Sequence, residues 1–411
     1  VRRECKTATL YDVARIAGVS TATVSRIVHG QDRVRPATRE RVQKVIDELG
    51  YVPDSAAQSL SRRRKEIIGL VSVERFTPQY DVENMSLLFY DEILRGVEPR
   101  LRDEGWSLLL TYLPGEDPHG FARLQSLSGK VDGLLIGEGV VPSSLLSRIA
   151  QRVPVVVIAG NPGESGVDVV TADNRSGAAA LVEHLVCAHG HTRFFHVDGP
   201  ASAPDAQERR VALELVLARH PRCRLIGSVR GEFSVRSGVE AGEHLLTTYG
   251  RRALPDAIVC ANDPMAIGVM QSLARAGVRV PEDLAVVGFD DIYPGSLSHP
   301  SLTTVHQPMR MIGERACTRL LDRIARPELD PEVVVIPTEL VLRESCGCSP
   351  SMGTRAVPPR LAVQQRSGTL QGAVTIARSD GQATKEGRKR SQSGGRTRKA
   401  VATDTVTPLP A

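Results

Sequence analysis

The apolar spacing at the start of the chain constrains the fold more than any other feature. Leu10, Val13, Ala14 and Ile16 mark one face of a short helix, and Gly18 stands where a tight turn needs positive φ. Ser20 is placed to cap a second helix by accepting a bond from an otherwise orphaned backbone N–H, with Val24, Ile27 and Val28 as its buried stripe. A third helix is expected from about Pro36 to Leu49, with Gly50 as its stop and Val42, Val45, Ile46 and Leu49 facing inward. This is the pattern of a helix-turn-helix, whose second helix enters the DNA major groove. The outward residues Thr21, Ala22, Ser25 and Arg26 suit thymine methyls, phosphates or guanine. Arg35, Arg39, Arg41 and Lys44 fit either phosphate contact or a solvated basic face.

Charge supports the same polarity. The whole chain of 411 residues carries +5, but Val1 to Lys65 carries +7, Glu66 to Pro350 carries −10 and Ser351 to Ala411 carries +8. A basic head on an acidic body attracts DNA at one end and keeps the body off the phosphates.

From Ile67 onward short apolar strands alternate with amphipathic helices, the mark of a parallel α/β architecture. Strands are expected at Ile67–Val73, Ser107–Tyr112, Val131–Gly137, Pro154–Ala159, Val167–Thr171, Arg193–Asp198, Arg224–Val229, Ala257–Ala261 and Leu284–Phe289. Helices are expected at about Leu87–Glu104, Leu145–Gln151, Arg175–His189, Ala206–Arg219, Val235–Tyr249, Pro264–Ala276 and Met309–Ile324. Strands this apolar are buried on both faces.

With TLYDVARIAGVS, TVSRIV and RVRPATRERVQKVIDELGYVP at the head, and VDGLLIG, VTADNRSGAAALVEHL, CANDPMAIGVM, LAVVGFDD and RESCGC in the body, the chain resembles the LacI/GalR (lactose-repressor) family through about Ser349. The resemblance implies a small all-α helix-turn-helix headpiece (1–53), a hinge helix and linker (54–66), and a periplasmic-binding-protein-like effector domain of two doubly wound lobes (67–349). A basic, disordered tail would follow (350–411), because that segment has too little apolar surface to offset the entropy of ordering.

For DNA contact the resemblance implies Thr9, Leu10, Tyr11, Ser20, Thr21, Ala22, Thr23, Ser25, Arg26 and His29, with Ala57, Gln58 and Leu60 from the hinge. Leu60 is the expected minor-groove wedge, which kinks the duplex at the dimer axis. Effector contacts would come from Arg209, Phe233, Asn262, Asp290 and Gln307, most of them just past strand ends, where ligands of open α/β sheets bind. A guanidinium, an amide and a carboxylate beside an aromatic ring suit a sugar or sugar derivative, with nucleobases as the other class. Ala159-Gly160-Asn161 departs from members with an acidic residue after that strand, and the stretch from Glu74 to Ser86 reads as an insertion. Structural alternatives are helix capping by Asp263, a turn held by Asp291 and loop bracing by Asn262.

The expected partners are therefore double-stranded operator DNA, a small-molecule effector and a second copy of the chain, with no membrane. A dimer is expected because Leu361 and Leu370 are too isolated to build a leucine heptad. The resemblance implies a repressor, and it leaves open whether the ligand releases or promotes DNA binding. No run of about 18 apolar residues or apolar signal region is visible, so cytoplasm is the default location. No nucleophile motif, P-loop or dinucleotide fingerprint is present, which argues against an enzyme carrying a DNA tether, as the missing export signal argues against a solute-binding protein. No cofactor and no metal are expected: Cys346-Gly347-Cys348 is the only close cysteine pair, without further cysteine or histidine nearby in sequence, and His189-Gly190-His191 reads as a helix end.

Overall fold

The computed structural model describes residues 8–28, 34–52, 64–74, 86–114, 120–137, 143–160, 166–349 and 355–356. The expectations for His29, the hinge with Ala57, Gln58 and Leu60, most of the insertion after Glu74, and nearly all of the tail lie outside these residues.

At the head, α1 (Leu10–Ala17) opens with a capping box in which the Asp12 N–H donates to Thr9 Oγ1 at 3.3 Å and the Thr9 N–H donates to Asp12 Oδ2 at 3.1 Å. Gly18 follows with φ 65°, the left-handed turn that its lack of a side chain permits. The Thr23 N–H donates to Ser20 Oγ at 3.2 Å, so Ser20 caps α2 (Thr21–Val28) as its position predicts. Pro36 starts α3 (Pro36–Leu49) and Gly50 ends it. Val13, Ala14, Ala17, Val24, Ile27, Val42, Val45 and Tyr51 form the core of this unit. Ile16 corrects the expected face of α1: it is 48% exposed, and Ala17, one turn on from Val13 and Ala14, takes the inward position.

The body contains two parallel sheets. The first has the order β11-β5-β4-β3-β1-β2, from β1 (Ile67–Glu74), β2 (Ser107–Pro114), β3 (Gly133–Gly137), β4 (Val155–Ile158), β5 (Asp168–Ala172) and β11 (Val333–Ile336). The second has the order β7-β6-β8-β9, from β6 (Arg193–Asp198), β7 (Arg224–Arg230), β8 (Ala257–Cys260) and β9 (Ala285–Val287). A small antiparallel sheet joins β10 (Thr304–His306), β12 (Glu339–Val341) and β13 (Arg355–Ala356). The helices with the first sheet are α4 (Ser86–Asp103), α5 (Gly120–Ser128), α6 (Ser143–Ala150) and α12 (Met309–Ala325). Those with the second are α7 (Asn174–His189), α8 (Pro204–Arg219), α9 (Val235–Tyr249), α10 (Asp263–Arg275) and the short α11 (Tyr293–Leu297).

The chain crosses between the lobes three times: at Asp173, between His306 and Met309, and between Ile336 and Thr338. Two crossings are bonded to each other, since the Asp173 N–H donates to Ile336 O at 2.8 Å and Thr338 Oγ1 donates to Asp173 O at 3.1 Å. Gly177 makes this possible, because a Cβ there would stand 2.5 Å from Thr338 Oγ1. Asp168, fully buried at the start of β5, clamps the last helix: it accepts from Arg319 Nε at 2.7 Å, from Arg323, and from the Glu332 N–H at 2.9 Å.

Every strand and helix expected from the sequence within the described residues is present, with ends shifted by at most two residues, while the hinge helix lies outside them. The elements not anticipated are α5, α11 and β10 to β13. Strands β10 and β12 are three residues long and exist through pairing with distant partners, and β11 is an edge strand with Val333 and Val335 exposed, so neither alternation nor a sustained apolar run marks them.

Candidate functional site

On the headpiece, α2 turns Val24 and Ile27 inward and leaves Ala22 and Arg26 exposed and Thr21, Thr23 and Ser25 half-buried. Ser20 and Thr23 share a hydroxyl contact of 2.9 Å, so their side chains fix the helix start as well as border the exposed face. Tyr11, 76% exposed, stands out from α1, whereas Leu10 packs against the core and Thr9 is engaged in the capping box. The result is a short helix whose N-terminal, outward side is free of packing and edged by hydroxyls and one guanidinium, as major-groove reading requires.

In the body, the strand ends of the second sheet bring the other candidates together. Arg209, on α8, is only 4% exposed. Its Nε donates to Asn174 Oδ1 at 2.9 Å and its Nη1 to Ala261 O at 2.6 Å, the residue after β8. The guanidinium lies 3.8 Å from the centroid of the Phe289 ring. Its Nη2 is buried without a hydrogen bond, with Asp205 Oδ2 at 3.3 Å and Asp290 Oδ1 3.7 Å from Nη1. A buried guanidinium with one unsatisfied arm is suited to grip a further acceptor.

Asp290 has φ 125° and accepts from Gln307 Nε2 at 3.0 Å. Burial pushes its carboxyl well above the usual range, against the opposing pull of Arg209. Asn262 caps α10 by accepting from the Met265 N–H at 3.1 Å and braces the preceding loop by donating to Phe233 O at 3.2 Å. The Phe233 ring presses against the Gly199 backbone at the end of β6, where a Cβ would meet it at 2.6 Å. Asp263 is structural: fully buried, it accepts from Thr304 Oγ1 at 2.6 Å and the Ile292 N–H at 3.0 Å, and burial pushes its carboxyl up to about 7. Asp291 holds its turn against His306 at 3.0 Å and Arg343 at 2.5 Å; these bonds overcome burial and keep it below its usual range.

All five expected effector residues thus lie at one end of the second sheet. Phe289 and Asn174, which position Arg209, were not singled out from the sequence; the first is hidden in an apolar strand and the second in a helix start. A cavity of about 580 Å³ opens beside this cluster, lined by Asp290, Gln307, Tyr293, Met309, Arg310 and Arg343 among others. It shares Asp290 and Gln307 with the effector set, while Arg209, Phe233 and Asn262 lie outside its lining.

A helix-turn-helix head ahead of two parallel α/β lobes, with a polar cluster at the strand ends of one lobe, defines a DNA-binding regulator with a ligand-binding body. Comparison with known proteins agrees on both parts. Residues 9–54 match the model for bacterial regulatory proteins of the lacI family, and residues 182–346 match that for a periplasmic binding protein-like domain. The ribose operon repressor of Escherichia coli (strain K12) is 34% identical over 345 residues, covering 82% of this chain and 99% of that protein. The transcriptional repressor PurR of Vibrio vulnificus (strain CMCP6) is 31% identical, covering 82% of this chain and 98% of that one. Among solved structures, the lac repressor dimer bound to operator and an anti-inducer superimposes with a TM-score of 0.73 at 28% identity, over 83% of this chain and 99% of that one. The chain belongs to the lacI family of bacterial regulatory proteins. Its relatives are transcriptional repressors and not enzymes. Among the described residues, no helix is long and apolar enough to cross a membrane.

Proposed function

We propose that the protein is a cytoplasmic, homodimeric transcriptional repressor that binds a pseudo-palindromic operator and responds to a small sugar or sugar derivative. The reading divides the chain into a DNA-binding headpiece (1–53), a hinge (54–66), an effector-binding and dimerisation body (67–349) and a basic tail (350–411). The observation that carries it is the presentation of α2, packed by Val24 and Ile27 and exposed along Ala22 and Arg26. Thr9, Tyr11, Ser20, Thr21, Thr23, Ser25 and His29 supply the remaining headpiece contacts, and the Leu60 pair forms the wedge.

Arg209, Asp290 and Gln307 bind effector hydroxyls, with Phe233 and Asn262 at the rim. The Nη2 of Arg209 supports this role, since it is buried without a hydrogen bond and has only the ion-pair approach of Asp205 at 3.3 Å. A small shift of the lobes would then alter the spacing of the two hinges and so their folding on DNA.

The test is selection of bound sequences from a random duplex library at near-physiological salt, which suppresses binding to phosphate alone. Recovery of a pseudo-palindrome with a deformable centre supports the reading; binding that is blind to sequence refutes it. Release or tightening of the selected duplex by a panel of sugars and nucleobases then identifies the effector class and the sign of its action.

A further inference from the structure

The fold brings together two pairs that lie 157 to 164 residues apart in sequence: His184 and His189 at the end of α7, and Cys346 and Cys348 where the chain leaves the small sheet. The two Nε2 atoms of the histidines are 3.1 Å apart. Cys348 Sγ lies 3.4 Å from His184 Nε2 and 3.5 Å from His189 Nε2, and Cys346 Sγ lies 3.8 Å from His184 Nε2. All four ligand atoms fall within 4.8 Å of one another. A tetrahedral zinc ion with bonds of about 2.0–2.1 Å to nitrogen and about 2.3 Å to sulfur requires edges of about 3.3 Å between nitrogens, about 3.6 Å between nitrogen and sulfur and about 3.8 Å between sulfurs. The edge of 3.1 Å between the nitrogens and those of 3.4, 3.5 and 3.8 Å between nitrogen and sulfur follow that pattern.

We propose that His184, His189, Cys346 and Cys348 bind one zinc ion per chain. Two soft thiolates and two imidazoles are the donor set of a structural zinc site, and four protein ligands fill the tetrahedron with no position open for chemistry. On binding, each cysteine thiol loses its proton to solvent and each neutral imidazole donates its Nε2 lone pair. The surroundings fit this role. Thr303 Oγ1 lies 3.1 Å from Cys346 Sγ and can donate to the thiolate, and the His189 ring stacks on His191 with centroids 5.6 Å apart. Gly347, with φ 97°, provides the left-handed turn between the two cysteines that an L side chain would strain.

The site is separate from the effector cluster. Asn174, the partner of Arg209, opens α7, and His189 closes it, about 22 Å away at 1.5 Å per residue. A zinc ion here pins the far end of α7 to the segment that follows the third crossing of the chain. Glu183, Cys187 and His220 form a neighbouring group of three possible ligands, which serves as the internal alternative.

The experiment measures metal content of the full-length protein purified without chelator or metal-affinity steps, followed by replacement with cobalt under reducing conditions. The expected result is about one zinc per chain and, with cobalt, the strong visible bands and thiolate charge-transfer absorption of a tetrahedral site. The double variant Cys348→Ser/His189→Gln should lose both signals while keeping its circular dichroism and DNA binding at low temperature, and Cys187→Ser should keep them. Absence of zinc together with a silent cobalt titration overturns the proposal. Zinc retained by the double variant and lost by Cys187→Ser overturns it as well, by moving the metal to the neighbouring group.

Discussion

On α2, Ala22 and Arg26 stand in solvent and Ser20 bonds its own helix's backbone, whereas in the second lobe Arg209 is 4% exposed and held by Asn174, Ala261 and the face of Phe289. A DNA-reading surface meets a partner that brings its own charge and water, so its side chains can wait unpaired at little cost. The buried cluster around Arg209 holds its polar groups in a dry place, so most of them already have a partner, and only Nη2 of Arg209 is left without a hydrogen bond among the groups that this guanidinium presents. The same residue type is thus cheap to remove in one region and costly in the other.

The comparison breaks most visibly at Arg209. Arg209→Ala leaves Asp290, Asp205 and Asn174 facing a hole, and urea denaturation should show a loss of about 3 kcal/mol together with loss of effector response. A loss below about 0.5 kcal/mol would put Arg209 in the same class as the surface residues. Arg26→Ala should do the reverse, weakening the selected operator by about 1–3 kcal/mol in a binding titration while thermal stability stays within about 0.5 kcal/mol. Thr9→Ala removes the capping box of α1, and should lower headpiece stability by about 1 kcal/mol, read from melting of its helical signal.

The smallest expected effect concerns acid. Asp198, at the end of β6, is penalised by burial, yet the hydrogen bond and charge of Arg210 at 2.8 Å, with the His196 imidazole 3.6 Å away, bring it down to about 2. A carboxylate depressed in the folded state gives stability that is present above its unfolded value of 3.8 and is lost as pH falls towards about 2. Denaturation midpoints measured across that range should fall less steeply in Arg210→Ala than in the parent.

The headpiece was legible because its signals are local. Gly18, Ser20, Pro36 and Gly50 each act on neighbours within four residues, and the structure places all four as their chemistry requires. The strand ends beside the polar cluster were legible for a related reason: Asn262 and Asp290 flank apolar runs that announce their own boundaries. What escaped depends on contacts made across the chain. Phe289 looks like one more core residue until Arg209 is laid on it, and Ile16 looks buried until Ala17 is found in its place. Cys346 and Cys348 lack further ligands in sequence, but the fold brings His184 and His189 to them. A contact between residues so far apart leaves no periodicity for sequence reasoning to find.

Strand β11, paired along β5, has a consequence for the order in which the protein can be made. The first sheet begins at Ile67, yet its edge strand is Val333–Ile336, and the helix that Asp168 clamps ends only at Ala325. At about 5–20 residues per second, the ribosome needs on the order of ten to thirty seconds between releasing β5 and releasing its partner. During that interval the headpiece, closed by Tyr51, is already complete. The nascent chain can therefore hold a finished DNA-binding unit while its body still waits for the residues that close the first lobe.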